Sequence, residues 1–587
     1  MERRVTGFIR LGAFACLTPL AGCAPSEVPE EAEQSVQEDY RHLADEYLAA
    51  LMERYPEKGT YYGIPGQAHD RLTDNSLAAI ETWQVKEDAW LAKLAELDTT
   101  VRTGSPEWVI RGILLETLES SRAMRVCRNE LWGVSETAGW QVVVPYLAEI
   151  QPVGTDKARR EAMARARDLV RYLDTEIANL REGLRLGYSV PKHNTALVMG
   201  QIRGLLELDS PLRSPAERDD DADFQHAFTK VVERQVNPAL QRYLHFLETE
   251  VEPAARAAIA IAEIPSGADC YRAAIRHHST LESPPQEIHD LGLEQMAMIQ
   301  AEMRQIAERS FDTEDVQGLL ERLRTAPEFA FSSRQEILEH AQAALDRARK
   351  IMPDYFGLLP QADVVIEPYP AYREDSGTGE YQSPAEDGSR PGLYYIPVTD
   401  PERRPRAIYE SLTFHETIPG HHLQLAIALE RGDRSHPIAR YLDNSGYSEG
   451  WALYTERLAD EMGLFSSDLD RMGMLGDQAA RAARLVIDTG IHEFGWSRQQ
   501  ALDYMTAHTT WAPQDIAAEI DRYIIWPGQA TAYMLGMLKI RELRAQAETA
   551  LGPRFRIQDF HDRILEDPAM SLGMLEEKIE KWIAEAG

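Results

Sequence analysis

Apolar residues return every three to four positions through most of the chain. In residues 40–56, Leu43, Tyr47, Leu48 and Leu51 fall on one helical face, and Pro56 closes the run. The same spacing predicts helices over 78–96, 107–123, 157–186, 224–262, 285–309 and 334–352, in stretches whose Ala, Glu, Leu and Arg favour helix by propensity as well. Residues 208–223, with two prolines and an acidic cluster, read as a solvated loop. The pattern changes in kind at 353–405. Ten prolines and glycines punctuate 353–391, around two short strand-like runs at 363–367 and 393–398. Helix returns from about residue 407 to the end. The expected fold is mainly α, with one small β-element.

Composition narrows the classes of function. The chain has 587 residues, 44% hydrophobic and 27% charged, which suffices for an extended core. Lys and Arg number 62 against 95 Asp and Glu, a net charge of −33; a surface this acidic repels phosphate backbones, so nucleic acid is not an expected partner. The amino terminus reads as an export signal: Arg3 and Arg4, then a mostly apolar stretch interrupted by Arg10 and ending in Leu20-Ala21-Gly22-Cys23. It is too short to span a bilayer. Leu-Ala-Gly-Cys resembles the bacterial lipobox, which implies cleavage before Cys23 and lipidation of that cysteine. An ordinary signal peptide with a chance cysteine is the competing reading. The expected organisation is a signal peptide at 1–22, a flexible Pro- and Glu-rich tether at 23–36, and a helical body at 37–587, in one or two halves. Ala24, in place of Asp, implies by the same resemblance an outer-membrane anchor facing the periplasm in a Gram-negative cell. Cys127 and Cys270 are read as small buried apolar residues; export permits a disulfide, but sequence does not show whether they meet.

The chemistry concentrates at His415-Glu416-Thr417-Ile418-Pro419-Gly420-His421-His422. Catalytic zinc takes imidazole and carboxylate ligands and keeps a position open for water, and a carboxylate next to the first ligand reaches that water. A strict His-Glu-x-x-His is absent, because Pro419 stands where the second histidine belongs. In an unbroken helix, His421 lies about 120° out of phase with His415, and His422 is in phase but about 10.5 Å along the axis. A bulge at Pro419-Gly420 turning six residues into an effective four would favour His421 as ligand, with His422 beside the metal or touching substrate. A plain helix break with solvated histidines is the alternative. Glu449 follows His421 by 28 residues, room for the rest of one helix, a turn and a packed second helix, and would complete a His415, His421, Glu449 set.

Three further segments carry chemical signals. Gly446-Tyr447-Ser448-Glu449-Gly450 matches the nucleophile elbow of α/β hydrolases, but residues 438–443 lack the strand that this motif requires. Asp488 and His492 stand four apart on one possible helical face, where the pair could orient the imidazole toward substrate, or form a structural hydrogen bond. Residues 522–536 are rich in donors: Tyr523 or Tyr533 would stabilise an oxyanion, and Arg522 would hold a substrate carboxylate, unless the segment is a buried aromatic stripe.

Taken together, the motifs resemble the bacterial family grouped as domain of unknown function 885. They are Tyr55-Pro56 with Gly63, Asp70-Arg71-Leu72, Gly392-Leu393-Tyr394-Tyr395, His415 through Gln424, Glu449 through Tyr454, Asp488 through His492, and Pro527-Gly528-Gln529-Ala530. Members of that family resemble the large helical zinc peptidases, with a zincin-like fold around a central cleft. That resemblance implies a Zn2+ metallopeptidase, with His415 and Glu449 as ligands and Glu416 as general base. The resulting expectation is a lipid-anchored cell-envelope hydrolase that cleaves short peptides with a metal-activated water. A non-catalytic peptide- or envelope-binding lipoprotein on the same scaffold is the alternative.

Overall fold

The computed structural model describes residues 30–586, apart from 65, 98–100, 208, 370–378, 386–387, 389, 433–435 and 443. The signal segment and Cys23 lie outside the described residues. The principal helices, numbered here in chain order, are α1 (Glu30–Arg54), α2 (Leu77–Glu96), α3 (Pro106–Met124), α4 (Asp156–Arg185), α5 (Gly267–Ser279), α6 (Pro285–Phe311), α7 (Arg334–Tyr355), α8 (Tyr409–Glu416), α9 (His421–Glu430), α10 (Ser445–Glu461), α11 (Asp468–His492), α12 (Pro513–Ile525) and α13 (Ala532–Leu551). Their starts are capped as their sequences dictate. Ser76, Ser105, Thr155 and Ser333 each accept an amide from the first turn of α2, α3, α4 and α7. Helix α1 begins at Glu30, inside the segment read as tether, in a Glu-, Ala- and Gln-rich run that favours helix by propensity.

Three expectations are corrected here. The single helix foreseen over 224–262 is interrupted by π-helical turns at Val232–Val236 and Leu247–Val251, and it ends at Ala254. Each π turn stands just ahead of a proline, Pro238 or Pro253, which has no N–H for the helical ladder and crowds the carbonyl four residues back. The supposed loop at 208–223 carries short helical turns at Pro211–Arg213 and Ser214–Glu217, and it buries Asp219 against Arg159, whose Nη2 donates at 2.9 Å. Cys127 and Cys270 are joined in a disulfide across 143 residues, tying the turn after α3 to α5.

The β-element has three strands, one more than the pattern foretold: β1 (Val364–Pro368), β2 (Glu380–Gln382) and β3 (Gly392–Ile396), in the order β1-β3-β2. β1 runs parallel to β3, with Val364 opposite Gly392, and β2 runs antiparallel to it, with Tyr381 opposite Tyr394. β2 is three residues long, too short for alternation to show.

One apolar cluster extends from Tyr40 to Ile579, so helices from both ends of the chain share a core. Helix α11 runs through it with every residue from Met472 to His492 buried. Being enclosed on all sides, it must find internal partners for Asp477, Gln478, Arg481, Arg484 and Asp488. Helices α10 and α13 meet at glycine: a Cβ on Gly450 would stand 2.6 Å from the Gly536 backbone, and one on Gly536 would stand 1.9 Å from the Gly446 carbonyl oxygen. The glycines of the apparent nucleophile elbow therefore serve close helix packing, and Ser448 lies within α10, on no strand-to-helix turn.

Candidate metal centre

Helix α8 ends at Glu416 and α9 starts at His421. Thr417 (φ −107°, ψ −116°) and Gly420 (φ −81°, ψ −130°) leave helical geometry between them, and the Ile418–Pro419 peptide is cis. The break is well satisfied. The Gly420 amide donates to the Phe414 carbonyl and the His422 amide to the Thr417 carbonyl, each at 3.0 Å, and Trp451 Nε1 donates to the Pro419 carbonyl at 3.1 Å. Glycine is required at 420, since a Cβ would sit 1.9 Å from the His415 carbonyl oxygen. The fold-back carries the His421 ring to 4.9 Å from the His415 ring, perpendicular to it. The local device is a full interruption and restart, in place of a two-residue bulge.

Helix α10 supplies the carboxylate. Glu449 Oε2 lies 3.6 Å from His415 Nε2 and 3.6 Å from His421 Nε2, and one ligand atom from each of the three residues falls within 4.8 Å of the others. Seven residues on, and so on the same face of α10, Glu456 accepts the Nδ1–H of His415 at 2.8 Å. Gln478 from α11 donates to the other Glu456 oxygen at 3.1 Å. Burial by itself depresses the His415 imidazole, but Glu449 and Glu456 outweigh it and push it up to about 10. Burial raises the Glu449 carboxyl, and the two histidines override this and hold it well below the carboxylate range. The centre thus draws positive charge inward. With Nδ1–H of His415 committed to Glu456, its Nε2 is the atom that faces the Glu449 carboxylate, a position that stabilises a proton or a metal cation between them. Two imidazoles and a carboxylate are the donor set of zinc, so these residues fit that ion.

Glu416 is 7% exposed and takes no hydrogen bond from any described residue. Burial raises its carboxyl, an effect only partly offset by His421 and His415. Beside it is Tyr394 of β3, fully buried, whose phenol is raised by burial first and then by the Glu416 charge. The Glu449 side chain, 25% exposed, marks the open side of the group. Tyr533 is half-buried near this opening: burial and then the Glu449 charge raise its phenol, and the Arg484 guanidinium lies 4.3 Å over its ring.

Four other candidates are placed elsewhere. His422 turns to the sheet, donating from Nε2 to the Ala362 carbonyl at 3.1 Å while Nδ1 accepts from Tyr381 at 2.9 Å, so it lies neither beside the three-residue group nor free for substrate. His492 is 1% exposed; its Nδ1 accepts the Ile261 amide at 3.1 Å and its Nε2 donates to the Tyr523 carbonyl at 2.9 Å, a structural role. Its supposed partner Asp488 instead receives Tyr271 Oη at 2.6 Å and the Gly528 amide at 3.1 Å. The Tyr523 hydroxyl is closed between Arg484 Nε at 2.9 Å and Glu519 at 2.7 Å. Arg522 is held in a two-pronged pair with Glu519 at 3.0 and 2.7 Å and also donates to Gln529, so each of its three nitrogens is already engaged within the fold. Sequence reasoning missed Glu456 and Tyr394. The first was legible as the residue seven positions beyond Glu449; the second becomes visible only once the sheet docks on α8.

The family described as bacterial protein of unknown function, DUF885, matches residues 56–579. The chain belongs to this family. No curated protein matches it. Two solved structures share the fold of this DUF885 chain. One is described as a "putative lipoprotein from Colwellia psychrerythraea", 27% identical, with a TM-score of 0.84 over 93% of this chain and 99% of that one. The other, described as a "putative lipoprotein of unknown function from Shewanella oneidensis", is 16% identical with a TM-score of 0.75, over 92% and 99% of the two chains.

Proposed function

We propose that this DUF885 member is a zinc-dependent peptidase of the cell envelope, lipid-anchored through Cys23 and acting on short peptides. The observation that carries the reading is the convergence of His415 Nε2, His421 Nε2 and Glu449 beside a buried carboxylate, Glu416, that has no hydrogen-bonding partner among the described residues. The break between α8 and α9 does here what a helical His-x-x-x-His spacing does in zincins, which supports a zincin-like helical scaffold. Leu20-Ala21-Gly22-Cys23, and the lipoprotein descriptions of the two related structures, support the anchor.

A bound zinc ion supplies Lewis acidity toward water and the scissile carbonyl. His415 and His421 present Nε2 to it, and Glu456 fixes the His415 ring. Glu416 Oε takes the proton of the attacking water and delivers it to the departing amine. Tyr533, at the open side, donates from its hydroxyl to the oxygen of the carbonyl under attack.

Glu416→Gln tests this. The variant keeps shape and ligands but has no proton acceptor, so zinc content stays at the wild-type level while peptide turnover falls by about 10²-fold or more. Equal turnover in the two proteins removes Glu416 from the role. Absence of hydrolysis by zinc-loaded wild type across a broad peptide library turns the reading to a peptide-binding lipoprotein.

A further inference from the structure

A second group of the same kind lies deeper in the fold, apart from the centre described above. His340 of α7, Glu410 of α8 and Asp470 of α11 each bring one ligand atom within 4.8 Å of the others. His340 Nε2 stands 3.9 Å from Glu410 Oε1 and 3.6 Å from Asp470 Oδ1. Glu410 is fully buried and Asp470 is 3% exposed. Two of the three converging atoms, His340 Nε2 and Asp470 Oδ1, are sealed from solvent with no hydrogen-bonding partner. The remaining contacts hold the carboxylates in place. Arg347 donates to Glu410, the Ser466 amide and hydroxyl donate to it at 2.8 and 2.5 Å, and the Ser467 hydroxyl donates to Asp470 Oδ2 at 2.6 Å.

The distances separate this group from ordinary histidine–carboxylate bonds. Where such a pair is a hydrogen bond in this protein, it closes: His415 with Glu456 at 2.8 Å, His436 with Asp45 at 2.9 Å and His193 with Asp521 at 3.1 Å. The open pairs among the described residues, at 3.6 to 3.9 Å, belong to two places only, the His415–His421–Glu449 centre and this one. Ligands around zinc at bond lengths of about 2.0–2.2 Å stand roughly 3.3 Å apart, so a small contraction closes either set on an ion. At 3.6 and 3.9 Å the His340 Nε2 closes a hydrogen bond on neither carboxylate, whereas a cation among the three side chains satisfies both orphaned atoms at once.

We infer that His340, Glu410 and Asp470 form a second, structural divalent-cation site of mixed nitrogen and oxygen character, suited to zinc. Its ion ties α7 to α11 through the first turn of α8, the helix whose other end carries His415 and Glu416. The inference is independent of peptidase activity.

The test counts metal on the full chain. After chelation, reloading with Zn2+ and buffer exchange, native mass spectrometry shows two zinc ions per wild-type chain and one in Asp470→Asn, in His340→Gln and, separately, in His421→Ala. Wild type with a single zinc that Asp470→Asn keeps and His421→Ala loses overturns the inference. A single zinc that Asp470→Asn loses and His421→Ala keeps sustains it and removes the first centre instead. Two zinc ions retained in both Asp470→Asn and His340→Gln also overturn it. Should these variants not fold, anomalous scattering at the zinc edge from wild-type crystals decides: a peak among the three side chains supports the site, and its absence refutes it.

Discussion

Glu456 accepts the Nδ1–H of His415 at 2.8 Å from the helical face that also carries Glu449. One turn-and-turn-again repeat of α10 thus addresses both nitrogens of a single imidazole, one carboxylate fixing the ring and the other sharing its open side. A ring held this way loses little freedom when an ion arrives. Glu456→Gln, which exchanges the charged acceptor for a neutral amide, is expected to weaken zinc binding by about 10- to 100-fold while the chain stays folded. Competition with a calibrated zinc chelator measures this, and an unchanged affinity contradicts it.

The two adjacent histidines have opposite assignments. His421→Ala removes an imidazole from the proposed centre, so that zinc is lost. His422→Ala keeps that zinc and instead releases the sheet, breaking the bonds to Tyr381 and the Ala362 carbonyl at a cost of about 1–3 kcal/mol. Metal analysis with urea unfolding of both variants reads the two effects separately. Zinc lost from His422→Ala and kept by His421→Ala reverses the assignment.

Acid weakens the fold through buried neutral histidines. His561 is pushed down to about 3 and His492 to about 4, in both cases by burial above all. In the unfolded chain such imidazoles take up protons near pH 6.5. Their contribution to stability is therefore complete above that pH and is lost as the pH falls from about 6.5 toward 4, by at most about 1.4 kcal/mol per pH unit for each ring. His561→Phe removes one of these rings, and its stability declines less steeply over that interval than that of wild type. The comparison cancels groups common to both proteins, including Asp488, which burial raises to about 7 and which acts with the opposite sign. Identical slopes from denaturant titrations at pH 7, 6 and 5 would count against this account.

Lipidation rests on Cys23. Wild type is expected to partition with membranes and to carry acyl mass on its mature amino terminus, and Cys23→Ser is expected to carry none. Mass spectrometry of the amino-terminal peptide settles the matter, and an unmodified wild-type Cys23 ends the proposal.

Helix placement was legible in the sequence because it follows from short-range periodicity, and α2, α3, α6 and α7 begin within a residue or so of where the apolar pattern puts them. The grouping of His415, His421 and Glu449 was also legible, since ligand chemistry limits residue types and Pro419-Gly420 announces a disturbed helix, although the sequence pointed to a bulge and the chain makes a full break. Other features waited on the tertiary structure. Whether Cys127 meets Cys270 depends on how α3 and α5 pack across 143 residues. His492, Tyr523 and Arg522 have the residue types of a catalytic site, yet α11 and α12 bury them, and buried polar atoms must find partners; those partners, the Ile261 amide, Glu519 and Gln529, occupy the very atoms that chemistry would use. The group of His340, Glu410 and Asp470 is scattered over 131 positions and three helices, with no local motif to announce it. Sequence by itself determined where most of the long helices run and which residues can carry chemistry, because both are local properties. Only tertiary packing decided which side chains converge, because convergence is set by the burial and helix contacts of distant segments.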